Sequence, residues 1–231
     1  MPSSAAVRAK SSPPSAGRLR TPDSPAPARA ATKIEILLKR LMDISLSAAG
    51  LVVLAPLLAA IALAIKLDSP GRAFYRAQRV GKRGKTFRCY KFRTMVAEAD
   101  AVKDYLRGRN EREGPLFKIA ADPRLTSVGR VLRRYSLDEL PQLWNVLRGE
   151  MSLVGPRPHP LDDCGQYATP HFRRLDVTPG MTGLWQIMAR SDPSFERSME
   201  LDLHYIERWR LSLDFWILYR TIFTVMEGKG T

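Results

Sequence analysis

Cysteine and histidine are scarce in this chain, at two and three of 231 residues. Cys89 and Cys164 have no CxxC spacing, which excludes a local metal knuckle or dithiol redox motif and predicts buried free thiols in a reducing compartment. His159, His171 and His204 lack the spacing of a zinc site, so solvated or capping imidazoles are the expectation. A GxxxxGK phosphate loop and a credible GxGxxG fingerprint are both missing, so conventional nucleotide-fold chemistry is not indicated. Acidic residues are also in deficit. Aspartate and glutamate total 23 against 37 lysines and arginines, a formal charge of +14 with a sequence pI near 10.2. That balance points to a polyanionic partner: nucleic acid, anionic lipid or a phosphorylated substrate. No helix-turn-helix pattern, zinc spacing or aromatic RNA-binding signature accompanies the charge, so no nucleic-acid partner is expected.

The longest absence is of charge itself. Ile44 to Ile65 runs for 22 residues without an acid or base, about 33 Å as a helix against a hydrocarbon core of roughly 30 Å. A soluble reading would need a wholly apolar helix buried on every side in a small domain. Pro56 sits near the middle of this stretch, removes the hydrogen bond to the Val52 carbonyl and predicts a break in the helix. Lys39 and Arg40 precede it, and Lys66, Arg72, Arg76 and Arg79 follow it, so the positive-inside tendency puts both ends on one side. A re-entrant hairpin of two half-helices satisfies both signals. Hydropathy leaves a kinked spanning helix open.

The rest divides around this segment. Residues 1–31, rich in Pro, Ser and Ala with Asp23 as the only acid, read as a disordered basic tail. Residues 32–67 hold an interfacial helix, with Ile34, Leu37, Leu38, Leu41 and Met42 at helical spacing, followed by the membrane hairpin. Residues 68–231 are read as a cytosolic domain with an interfacial C-terminal helix. There Phe74–Tyr75 and Thr86–Arg93 predict a hairpin turning at Gly81–Gly84, and Val96–Arg107 a helix. Thr126 or Ser127 caps a short helix through Arg134. Ser194–Met226 is predicted helical in two parts. Its last part suits either a core helix or one resting among headgroups, with Trp209, Trp216, Tyr219, Arg208, Arg210 and Arg220 as anchors. The expected class is α+β: a mostly helical cytosolic domain with a small β-hairpin, attached to a Pro-broken re-entrant helix and interfacial amphipathic helices.

The densest run is Arg133-Arg134-Tyr135-Ser136-Leu137-Asp138-Glu139-Leu140-Pro141-Gln142-Leu143-Trp144-Asn145. Pro141 is comfortable only in a first turn, so a helix is predicted to begin near Ser136–Asp138. Ser136 and Glu139 match a capping box, and on spacing alone capping is the simpler reading of both acids. Chemistry is favoured by the crowd of cations. Arg133, Arg134, Arg148 and Arg157 lie near in sequence, and Lys91 and Arg93 are candidates to approach in space, a setting for magnesium and a diphosphate. Arg157, in the loop Val154-Gly155-Pro156-Arg157-Pro158, is stiffened by two prolines and suits either a phosphate grip or a surface turn. Pro179-Gly180-Met181-Thr182-Gly183-Leu184-Trp185-Gln186 carries two glycines that permit close backbone approach, with Gln186 and Arg190 able to bond a base or phosphate.

Taken in order, Lys39-Arg40-Leu41-Met42-Asp43, Tyr90-Lys91-Phe92-Arg93-Thr94-Met95, Asp122-Pro123-Arg124, Ser136 to Gln142, Val154 to Pro158 and Pro179 to Gly183 resemble the bacterial sugar transferase family, the monotopic polyprenyl-phosphate phosphosugar transferases. The resemblance spans all but the tail. It implies a helix broken at Pro56 that re-enters the cytoplasmic leaflet of the inner membrane, and a transferase that uses Mg2+, a nucleotide-sugar donor and a polyprenyl phosphate acceptor. It also implies that Asp138 attacks the β-phosphorus to form an aspartyl phosphosugar, that Glu139 helps bind the metal, and that Lys91, Arg133 and Arg157 contact phosphate. Pro156, Gln186 and Arg190 fall on the nucleotide side, although Met188-Ala189-Arg190 departs from a family tendency to glycine before that arginine. The short form, with Leu201-Asp202-Leu203 and an aromatic C-terminal helix, resembles enzymes that start exopolysaccharide assembly with galactose or glucose from UDP-sugars. The competing classes are a membrane-tethered nucleic-acid binder and a noncatalytic anionic-lipid adaptor.

Overall fold

A computed structural model describes residues 31–99, 102, 105–111, 119 and 122–228; the basic tail expected at 1–31 lies outside these except for Ala31. Thr32 caps the first helix, α1 (Lys33–Val53), in a reciprocal box with Glu35. Leu54 takes a non-helical conformation, Pro56 occupies the first turn of the next helix, α2 (Ala55–Asp68), and the two axes differ by 61°. No single described helix is long and apolar enough to cross a membrane; the bent pair together passes that test by length and composition.

The polarity of α1 is inverted. Ile34, Leu37, Leu38, Leu41, Val52 and Val53 are exposed, while Asp43 and Ser47 are buried. The inward stripe runs through Lys39, Arg40, Asp43, Ser47 and Gly50, the three- and four-residue spacing of one helical face. Lys39 Nζ donates to Asp214 Oδ2 at 2.6 Å and to the Val154 carbonyl at 3.0 Å. Arg40 donates to the carbonyls of Val146 and Leu147, each at 2.7 Å, and so caps the C-terminus of another helix. Lys39 and Arg40, which precede the uncharged stretch in sequence, are both spent on the protein's own carbonyls and carboxylate.

Beyond α2 the predicted hairpin forms. Strands β1 (Phe74–Val80) and β2 (Thr86–Phe92) pair antiparallel in the register Phe74↔Phe92 through Val80↔Thr86. Cys89 and Phe92 are both buried although they point to opposite faces, so the hairpin is covered on both sides. The helix expected over Val96–Arg107 falls partly outside the described residues, and those described form turns and a 3-10 turn at Arg107–Arg109. Thr126 caps α3 (Ser127–Arg134), its hydroxyl accepting from Gly129 N at 3.0 Å. The helix α4 spans Gln142–Leu147.

The run after Gly149, read in sequence as a loop, contains a strand. β3 (Ser152–Val154) pairs in parallel with β4 (Gly180–Thr182). Between them lie α5 (Leu161–Cys164) and a 3-10 stretch, and after them α6 (Leu184–Met188), α7 (Phe195–Glu207, capped by Ser194) and α8 (Leu211–Met226). The class is α+β with two small sheets.

The main core joins Val146 of α4, Met151, Val154, Leu201, Tyr205 and Ile217 with Cys89 from the hairpin. A second cluster sets Ile61 and Ile65 of α2 against Phe92 and Leu132. The last helix has one buried and one exposed face. Asp214 and Ile217 are fully buried, whereas Phe215, Trp216, Tyr219, Ile222, Phe223 and Met226 are exposed. Trp209 turns inward, its indole donating to Asp214 Oδ2 at 3.2 Å.

Asp43 fixes α1 to β3, accepting from Leu153 N at 2.9 Å and Ser152 Oγ at 3.1 Å. Asp43→Ala strands a buried backbone N–H and is expected to cost roughly 1–3 kcal/mol. Asp43→Asn keeps an acceptor oxygen and should cost less. Thermal unfolding in detergent checks both, and equal losses would remove the hydrogen bond as the cause.

Candidate active site

The turn between α3 and α4 carries the two acids. Ser136 has φ 55° and is left-handed, a conformation costly to a residue with a side chain and held here by its surroundings. Its hydroxyl accepts from Arg190 Nη2 at 2.7 Å. Leu137–Glu139 form a single 3-10 turn, and α4 starts only at Gln142 with Pro141 before it. The capping box expected of Ser136 and Glu139 is not made. Left-handed Ser136 aims its side chain away from the turn, and Glu139 is drawn off by two cations.

Lys91 Nζ lies 2.7 Å from Glu139 Oε1 and 3.9 Å from Asp138 Oδ2. Arg157 grips Glu139 with both ends of its guanidinium, Nη1 to Oε2 at 3.1 Å and Nη2 to Oε1, the bidentate fork that suits arginine. Asp138 is buried, and among the described residues its carboxylate accepts no hydrogen bond. The two acids therefore separate electrostatically. Burial opposes the charge on Glu139, but Arg157 and Lys91, through charge and hydrogen bonds, outweigh it and hold the carboxyl well below the usual range. Burial likewise pushes Asp138 up, and here Lys91, Arg133 and Arg157 offset it only in part while the Glu139 charge adds to the rise. The hydrogen-bonding cations thus serve Glu139 and not Asp138, and no α-helix begins at Asp138.

Of the cations near in sequence, Arg133 is half-buried, donates from Nε to Thr94 Oγ1 at 3.1 Å, and feels the charges of Asp138 and Asp122. Arg190, besides bonding Ser136, feels Arg157, Glu139 and Asp138. Arg134 lies over the Tyr135 ring at 5.6 Å, and Arg148 pairs with Glu150 at 3.3 Å on the surface. Arg93 goes elsewhere: it donates to the carbonyls of Ser69 (2.7 Å) and Pro70, capping the end of α2. Asp122 and Arg124 form their own buried pair at 2.6 Å.

Arg157 sits where two backbones cross. Gly155 N donates to Thr182 O, and Gly180 N to Pro156 O, each at 2.9 Å. A Cβ on Gly180 would stand 2.1 Å from Gly155 N, so the close approach these glycines allow is to the chain's own backbone. Pro156 is buried at this crossing. Gln186 donates from Nε2 to the Met181 carbonyl at 2.8 Å, with its Oε1 buried and without a hydrogen bond among the described residues.

Sequence reasoning passed over two supports. Arg174, fully enclosed, binds Asp202 at 2.6 and 2.9 Å, donates to Tyr167 Oη, faces His159 and holds the Arg157 carbonyl at 2.8 Å. Burial and the nearby arginines push His159 well below its usual range, so it is a neutral acceptor here and not the solvated imidazole its sequence suggests. Asn145, fully buried, accepts from Tyr90 N at 3.0 Å and donates to Arg88 O at 2.8 Å, locking β2 to α4 beside Lys91. An Arg–Asp contact across 28 positions leaves no local signal in sequence.

The opposite shifts of the two acids predict opposite mutants. A carboxyl raised in the fold opposes folding as pH climbs above its ordinary 3.8, so Asp138→Asn should unfold at a higher temperature than the parent at pH 7.5, the gap closing toward pH 4. A depressed carboxyl stabilises above its ordinary 4.5 and loses that contribution only as pH falls through its lower folded value. Glu139→Gln should therefore lose roughly 1–3 kcal/mol at pH 7.5, with a gap that persists at pH 4.5. Melting curves across pH decide; a stabilised Glu139→Gln would overturn the assignment.

The family model for bacterial sugar transferases matches residues 34–228. The exopolysaccharide production protein ExoY of Sinorhizobium fredii is 41% identical over 84% of this chain and 87% of its own. The undecaprenyl-phosphate galactose phosphotransferase of Salmonella typhimurium is 43% identical over 84% of this chain and 41% of its own. The UDP-glucose:undecaprenyl-phosphate glucose-1-phosphate transferase of Escherichia coli is 42% identical over 84% of this chain and 41% of its own. Against such longer relatives the chain spans about two fifths of their length. With a match that takes in both membrane-type helices, the acid turn and the proline-flanked arginine, the chain belongs to the bacterial sugar transferase family.

Proposed function

We propose that this chain transfers a hexose 1-phosphate from a UDP-sugar to undecaprenyl phosphate at the cytoplasmic face of the inner membrane, in the first membrane step of exopolysaccharide assembly. The observation that carries the reading is the divided acid pair: Asp138 is buried and accepts no hydrogen bond among the described residues, beside Glu139 held ionised by Lys91 and Arg157. A carboxylate without hydrogen bonds keeps its lone pairs for phosphorus. The names of the Salmonella and Escherichia coli relatives support galactose or glucose as the sugar.

In this mechanism an Asp138 carboxylate oxygen bonds to the β-phosphorus. The bond from that phosphorus to the bridging oxygen breaks, and nucleoside monophosphate leaves with the oxygen. A phosphate oxygen of the polyprenyl acceptor then attacks the aspartyl phosphosugar, which forms the lipid diphosphate sugar and returns the carboxylate. Lys91, Arg133 and Arg157 neutralise the phosphoryl oxygens during both displacements, with Gln186 and Arg190 toward the nucleotide. Burial raises the free energy of the Asp138 anion and with it its nucleophilicity.

The donor set fits a magnesium ion. Among the described residues no group of three possible protein ligands occurs, and magnesium commonly takes one or two carboxylates and completes its sphere with substrate phosphates and water. Glu139 would hold it beside Asp138, and it would supply charge neutralisation for the diphosphate. Glu139 oxygens already engaged by Lys91 and Arg157 would exchange a cation for the metal, freeing that cation for phosphate.

The break at Pro56 and the apolar outer face of α1 support a re-entrant membrane pair. In a chain with Cys89 and Cys164 replaced by serine, Lys33→Cys and Pro70→Cys should react with an impermeant maleimide from the cytoplasmic side alone. Labelling of the two from opposite sides would sink the re-entrant arrangement. Purified protein given UDP-hexose labelled in the β-phosphate, with magnesium and no lipid, should release nucleoside monophosphate and retain label. Asp138→Asn should reduce turnover by about 10³-fold or more, as loss of an acting nucleophile does. Near-normal turnover in that variant would overturn the mechanism.

A further inference from the structure

A groove of about 730 Å³ opens where α2 meets the start of β1. Leu63, Phe74 and Tyr75 give it apolar walls, and Lys66, Arg72 and Arg76 stand at its rim. All three cations are exposed, and among the described residues neither Lys66 nor Arg72 has an acidic partner; Arg76 lies over the Tyr90 ring at 5.8 Å. Cations around an apolar trough match, in charge and in polarity, an amphiphilic anion. Two features tie this trough to the chemistry. Leu63 of its α2 wall and Leu67, one turn on, are both exposed. Its Tyr75 is the direct cross-strand partner of Lys91, which touches Glu139 and lies 3.9 Å from Asp138. Partners in such a pair share a face and stand about 5 Å apart at Cβ.

We propose that this groove is the acceptor site, with Lys66, Arg72 and Arg76 taking the phosphomonoester and the apolar walls taking the first isoprene units of one polyprenyl chain. It rests on the transferase reading above and adds the location of the second substrate. The size favours a single-chain occupant: the volume lies in the range of pockets that enclose one small ligand, and is too small for a patch of bilayer. A phosphomonoester carries close to two negative charges, which three cations match better than they match the single charge of a diester headgroup.

The test separates the two half-reactions. Lys66→Ala/Arg72→Ala should melt near the parent temperature and release nucleoside monophosphate from UDP-hexose without lipid to within about twofold, while its KM for a short-chain polyprenyl monophosphate in detergent micelles rises about tenfold or more, the loss expected for charge-assisted contacts. Leu63→Trp, which fills the trough from its other wall, should raise the same KM. An unchanged KM in both variants overturns the acceptor site. So does a defect that appears only with vesicles containing anionic phospholipid and parallels their co-sedimentation, since that marks a general headgroup dock. Failure of the parent protein to release nucleoside monophosphate would instead bring down the transferase reading, and the acceptor assignment with it.

Discussion

Lys39 reaching Asp214, with Asp43 reaching the β3 backbone, sets the orientation of everything else. These bonds face α1 inward with its polar stripe and leave its apolar residues outside, the reverse of a surface helix in water. Asp214 has no exposure at all and also accepts from Tyr205 and Trp209, so the first and last helices meet on one buried carboxylate. Breaking such a pair leaves an uncompensated charge in the core, which is far costlier than the net gain from forming it. The interaction thus acts mainly as a specifier: other orientations of α1 leave Asp214 unanswered. Once α1 is fixed, Arg40 caps α4, and α4 carries Asn145 and the acid turn.

The acid pair shows how two adjacent carboxyls in one low-dielectric site are made unequal. Each pays the same desolvation in kind, but only Glu139 receives directed hydrogen bonds. The asymmetry is geometric. Lys91 is placed by β2, and Arg157 by two prolines, a glycine crossing and the Arg174 grip on its carbonyl. Both converge on the second acid of the turn, which follows the left-handed Ser136. Charge on Glu139 then raises the energy of charge on Asp138, so the arrangement that stabilises one acid destabilises the anion of the other.

Much of this was legible in sequence because it follows from local rules. The hairpin, the Thr126 cap, the break at Pro56 and the two C-terminal helices each rest on a few neighbouring residues. The capping box failed for an equally physical reason. Ser136 and Glu139 satisfy the pattern, but Lys91 and Arg157 compete for the same glutamate from 48 and 18 positions away, and a charged pair outbids a backbone amide. The same limit concealed the inward use of Lys39 and Arg40, the parallel β3–β4 pair and the Arg174–Asp202 support. Lysines beside an apolar run look alike whether they meet headgroups or a carboxylate more than a hundred residues on. The cation crowd was therefore seen in composition, while its division between site and surface was decided by tertiary contacts.

The end of β2 joins these two halves of the molecule. Lys91 holds Glu139, and two residues later Arg93 holds the carbonyls of Ser69 and Pro70 just after α2. Residues so spaced on extended chain point the same way and lie about 7 Å apart. Ile61 and Ile65 of α2 meanwhile pack against Phe92 and Leu132, with Leu137 of the acid turn against the same cluster. Tilting α2 relative to the domain would thus have to break the arginine cap and open a packed apolar contact at once, and close-packed interiors resist small continuous shifts of that kind. The position of Asp138 is therefore fixed relative to the bent helix pair.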